Sequence, residues 1–150
     1  MQKMNFKTTI HAPKEAVWKV LWTDRSYREW TRAFCEGSYA VTDDWKEGTE
    51  VKFLDPAGSG MISRVAENRP NEYMSFEHLG ELTKGVEDRT SDKVKAWAGA
   101  KENYTLTGTG NVTELVVELD MADEYAEMFR QMWPKAMDSI KALAEQTSKN

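Results

Sequence analysis

The sequence is short of the side chains that fill most protein interiors. Val, Leu, Ile and Phe together number 26 of 150 residues, about 17%, and only three are Ile. That share falls inside the range that flags disorder. The other half of the flag fails, because a net charge of −5 over 150 residues is a low charge density. One cysteine excludes an internal disulfide, and two histidines far apart, His11 and His78, offer no ligand-spaced metal cluster. No metal and no cofactor are therefore expected. No run approaches ~18 consecutive apolar residues, so no membrane span is expected. Residues Met1 to Ile10 contain no apolar signal region and no cleavage site, which points to a cytoplasmic location. A pI near 5.2 without a basic cluster argues against a nucleic-acid partner. Nucleophile elbows, P-loops and dinucleotide fingerprints are also missing.

What the chain has instead is Trp, Tyr and Met, with 6, 5 and 8 copies. These residues bury large areas and fill irregular spaces. The length suits one compact domain over residues 1–150, able to bury roughly 70% of its unfolded surface.

Periodicity orders the elements. Asn5 to Ile10 reads as a strand. Pro13 opens a helix to Thr23 with Val17, Val20 and Leu21 on one stripe. Asp24 is placed to cap a second short helix, Arg25 to about Ala33. Strands follow at Gly37–Val41, Gly48–Leu54, Met61–Glu67 and Tyr73–Leu79, with turns at Asp43-Asp44, Asp55–Gly60 and Asn68–Asn71. Gly80 to Asp92 reads as polar and irregular, and a short helix, Lys93 to Ala98, follows. Glu102–Thr107 and Val112–Asp120 form a hairpin. Asp123 is a plausible cap for a long closing helix. Its stripe contains Tyr125, Phe129, Met132, Ala136, Ile140 and Leu143, with a kink expected before Pro134 and fraying from Gln146. The expected class is α+β: an antiparallel sheet covered by one broad amphipathic helix.

The run Ile10-His11-Ala12-Pro13, then Val17-Trp18 and Leu21, Thr23-Asp24 and Trp30, resembles the opening of the START-like helix-grip (SRPBCC) superfamily. The likeness is to its branch of Aha-type homologues, activators of a heat-shock chaperone ATPase. Trp45 with Gly48, Asp55-Pro56 with Gly58, Arg69-Pro70-Asn71-Glu72 and Trp133-Pro134 are similar too. The resemblance implies a curved antiparallel sheet of six to seven strands wrapped on a long C-terminal helix, with two short helices after the first strand. It implies a cavity between sheet and helix for lipids, sterols, polyketides or other apolar molecules. Some such domains are cyclases or hydrolases, and some act with chaperones. Fold leaves that choice open. The acidic stretch Gly80 to Ala100 departs from the pattern where a cavity mouth is expected.

An empty pocket of roughly 300 Å³ forgoes about 7 kcal/mol at ~24 cal/mol per Å³. A pocket therefore persists only if function keeps it or something fills it. The candidate ligand-binding lining is Phe53, Met74, Phe76, His78 and Tyr104 from the sheet, with Tyr125, Phe129, Met132 and Trp133 from the helix. The competing reading packs these together as ordinary core. His78 alternates with Met74 and Phe76, so it should face inward. There it is an acid–base candidate with Tyr104, or a core histidine satisfied by Glu102 or Tyr104. Cys35 reads as buried filler. Glu77 and Glu102 read as outward strand charges. The favoured function is binding of a small apolar molecule, lipid-like or aromatic. The alternatives are a chaperone-associated module and a cyclase or hydrolase using His78.

Overall fold

The computed structural model describes residues 1–148. The strand β1 (Gln2–Ile10) leads into α1 (Lys14–Trp22) and α2 (Asp24–Trp30), with a single tight turn over Thr31–Ala33. Five strands follow: β2 (Tyr39–Thr42), β3 (Glu50–Leu54), β4 (Gly60–Arg69), β5 (Tyr73–Thr83) and β6 (Val86–Asp88). A one-turn helix α3 (Asp92–Lys95) precedes the hairpin β7 (Lys101–Thr109) and β8 (Val112–Met121). The chain closes with α4 (Asp123–Ser148). Among the described residues no helix is long and apolar enough to cross a membrane.

All strand pairings are antiparallel, in the order β1-β8-β7-β5-β4-β3-β2, with β6 added beside the end of β5. The sheet thus has eight strands, one more than the upper expectation. The extra strand lies in the stretch read as irregular. β5 runs on to Thr83 and turns back through Lys84 and Gly85, both at positive φ (49° and 84°). A two-residue loop of that kind matches the twist of the flanking strands. Gly80 allows the return, because a Cβ there would lie 2.5 Å from the Asp88 carbonyl oxygen.

Two register shifts interrupt the β4–β5 ladder. Between the pairs Ile62↔Gly80 and Ser63↔His78, Leu79 is the extra residue on β5. Between Val65↔Phe76 and Glu67↔Ser75, Ala66 is the extra residue on β4. Such bulges bend a strand and raise its twist, which curves the sheet around a helix.

The helices meet the curved face through their apolar stripes. Val17, Val20, Leu21 and Trp22 of α1 are buried. On α4, Trp133, Ala136, Met137, Ile140 and Ala144 are buried at helical spacing. Phe6 of β1 stacks on Trp133 with centroids 5.8 Å apart. The α4 helix continues through Pro134 to Ser148, and the stretch expected to fray from Gln146 extends into residues 149–150, outside the described residues. Asp24 does not cap α2. It lies within the helix and pairs with Arg28 at 3.1 Å. Ser91 does cap α3, accepting a hydrogen bond from the Val94 backbone N–H. The compensating aromatics cluster at one end of this interior. Trp22 touches Trp45, Phe76 and Tyr104, and Tyr27 touches Trp30 and Trp45.

Candidate functional site

The curved sheet and the helices enclose a cavity of about 670 Å³. Of the nine residues expected to line it, six do: Phe53, His78, Tyr104, Tyr125, Phe129 and Trp133. Tyr125 stands at the rim rather than in the buried stripe, and is 41% exposed. Met74, Phe76 and Met132 do not line it. Met74 and Phe76 are fully buried, as inward residues should be, but stay in the core rather than at the cavity wall. Trp22 of α1 packs 5.4 Å from the Phe76 ring. Met132 precedes Trp133 by about 100° of helical rotation and is half-buried outside the cavity.

Sequence reasoning missed much of the wall. Trp22, Tyr27, Trp30 and Phe34 come from the two short helices and the turn after them, and Trp97 and Ala100 from the segment before β7. Cys35 is exposed at this wall, not buried filler. Phe34 meets both Trp133 and Phe129, at 4.9 and 5.8 Å. The rings thus form a continuous apolar surface from α2 across to α4.

One wall is polar. Glu102 faces inward, contrary to the outward placement expected from its charge. Its partner Tyr104 lies two residues on, and period-two alternation puts both on one face. The Tyr104 hydroxyl donates to Glu102 Oε2, and His78 Nε2 lies 3.3 Å from Glu102 Oε1. On its other side His78 Nδ1 lies 2.6 Å from the Ser63 hydroxyl. The Leu79 bulge produces this meeting by setting Ser63 directly opposite His78. The His78 backbone is held as well. Its N–H donates to the Ala100 carbonyl at 2.9 Å, and its carbonyl accepts from Gly99 at 2.8 Å. His78 is therefore the satisfied inward histidine, joined to Glu102, and it also lines the cavity.

Burial, and then the Glu102 carboxylate, hold the phenols of Tyr27 and Tyr104 well above their usual value of about 10. Tyr27 lines the cavity. Glu77, by contrast, faces outward and pairs with Arg64 and Lys101.

No protein-family model matches this chain, and no curated protein sequence does. Solved structures do match. DynU16, a protein of the dynemicin biosynthetic locus, superposes with a TM-score of 0.71 at 16% identity over 99% of this chain. This chain spans only 49% of DynU16. The Aha1 dimer from Colwellia psychrerythraea gives 0.69 at 19% identity, covering 97% of both chains. MLL2253 from Mesorhizobium loti gives 0.70 at 16% identity, covering 97% of this chain and 98% of its own. The fold is the helix-grip fold. Likeness at these identities concerns the helix-grip architecture, the arrangement that the Ile10–Trp30 motif implied.

Proposed function

We propose that the protein binds a small hydrophobic molecule, aromatic or lipid-like, between the sheet and α4. The observation that carries this reading is the unfilled volume of about 670 Å³ framed by aromatic rings. Small-molecule sites commonly span ~300–1,000 Å³ and combine apolar walls with few polar groups. Here His78, Glu102, Tyr104 and Tyr27 are among the polar residues of the wall. A dry void of this size would be very costly at ~24 cal/mol per Å³. This cavity instead reaches solvent past exposed Tyr125 and Met128, so water or ligand fills it.

Native mass spectrometry of protein purified gently from its source tests the reading, together with thermal shifts across a lipid and aromatic panel. A retained small molecule, or a shift with an apolar panel member, is expected. Neither appearing would overturn it.

A second reading, acid–base chemistry on the bound molecule, is favoured by His78, Glu102 and Tyr104 sharing one wall. Any turnover found should then fall in His78→Gln. Unchanged turnover would remove His78 from the chemistry.

A further inference from the structure

The Glu102 carboxylate stands in an aromatic enclosure with little to balance it. Its side chain is 22% exposed, yet among the described residues its only partner within ion-pair distance is His78. His78 Nε2 faces Glu102 Oε1 at 3.3 Å and counters its charge only when protonated, while Nδ1 is taken up by the Ser63 hydroxyl at 2.6 Å. Tyr104 adds a neutral donor. Those two bonds leave acceptor capacity on both carboxylate oxygens, since a carboxylate offers about four lone-pair sites. Interior carboxylates are normally met by a cation, because hydrogen bonds from neutral groups only partly replace water.

The surroundings have the same bias. The other carboxylates on the cavity wall are Asp55, Glu81 and Asp120, of which Asp120 pairs with Lys3 at 3.4 Å, and no arginine lines it. Lys93 is the one lysine there, and Glu81 holds it at 3.2 Å. The Met1 ammonium is likewise held, by Asp123 at 3.4 Å. The rings of Trp22, Trp30 and Trp133, which line the cavity, lie 4.9–6.4 Å, centroid to centroid, from the Tyr104 ring beside Glu102. Aromatic faces attract cations, most strongly when water is excluded. Tyr27, 6% exposed, lines the same wall.

We infer that the ligand is an aromatic or polycyclic amine, whose protonated nitrogen sits against Glu102 while its ring system packs among the tryptophans. This rests on the reading of the cavity as a binding site and names its ligand class. Anionic apolar molecules, fatty acids included, would be rejected by the same carboxylates.

Three probes of one shape test this: pyrenylmethylamine, pyrenylmethanol and pyrenecarboxylate, titrated by tryptophan-to-pyrene energy transfer. The amine should bind at least ~10-fold more tightly than the carboxylate, with the alcohol between them. In Glu102→Gln the preference should shrink at least ~5-fold while the alcohol holds within ~2-fold. Glu118→Gln, on the outer face of β8, should leave the ranking intact. The carboxylate binding as tightly as the amine would overturn the inference but leave the cavity reading standing. An undiminished preference in folded Glu102→Gln would overturn the role of Glu102. Binding of none of the three would overturn the cavity reading and this inference together. If circular dichroism finds Glu102→Gln unfolded, the wild-type ranking alone decides the ligand class.

Discussion

Ser63 has no surface exposed to solvent and its hydroxyl meets one side chain, His78. Removing that hydroxyl leaves a buried ring nitrogen unpaired, which costs about 1–3 kcal/mol. Ser63→Ala should therefore lower the unfolding free energy by an amount in that range, read as a lower urea midpoint at an unchanged denaturant slope. A change below ~0.3 kcal/mol would mean that water replaces the hydroxyl. The two buried phenols give a prediction in pH. Their folded-state values lie above the unfolded value of about 10, so the unfolded chain loses these protons first. Stability from Tyr27 and Tyr104 is complete below pH ~10 and falls as pH rises beyond it. Part of the tyrosinate absorbance should thus appear together with loss of the circular dichroism signal in an alkaline titration. All five tyrosines ionising in the folded protein would contradict this.

At the scale of elements, the β5–β6 hairpin is the clearest case for a substitution. Lys84 adopts φ 49°, a conformation that costs most side chains and suits Asn. Lys84→Asn should stabilise the protein by a few tenths to about 1 kcal/mol, read by thermal or urea unfolding. A loss of stability would show that the Lys84 side chain contributes more than its backbone strain costs. The same hairpin marks where sequence reading stopped. Strands flagged by alternation, such as Glu50–Leu54 and Val112–Met121, and the periodic closing helix were legible. β6 was not, because its turn is Lys-Gly rather than Asn-Gly and its strand is three residues long with two exposed. The cavity was legible in part for a related reason. Periodicity sorts residues to faces, so it found His78, Tyr104 and Phe129. It carries no information on which inward residue another element then covers, and so it included Met74 and Phe76. Charge was the misleading signal at Glu102. Carboxylates usually face solvent, whereas Glu102 shares the inward face of β7 with Tyr104 and lines the cavity.

For the whole molecule, the shortage of branched aliphatics and the cavity are one fact seen twice. Aromatic rings are rigid plates, and plates from α1, α2, β3, β7 and α4 frame a space that they do not fill. If the proposed binding holds, it and folding stability depend on different parts of the same ring set. Phe129 is only half-buried and faces the cavity, whereas Trp133 is 3% exposed and packs against Phe6 and Trp30. Phe129→Ala should weaken binding of an apolar probe at least ~10-fold, while Glu118→Ala leaves it within ~2-fold. Equal effects of the two would place the ligand elsewhere. Fluorescence titration with one aromatic probe is sufficient to read both.

The single cysteine gives this architecture a practical consequence. Cys35 is exposed, it borders the cavity, and no second thiol competes with it. A thiol-reactive dye would therefore label one known position without mutagenesis. Trp30 and Trp133, on the same cavity wall, are natural donors for such a dye. The chain thus carries the parts of an optical sensor for the proposed binding, and arrival of a probe in the cavity is measurable in the unaltered sequence.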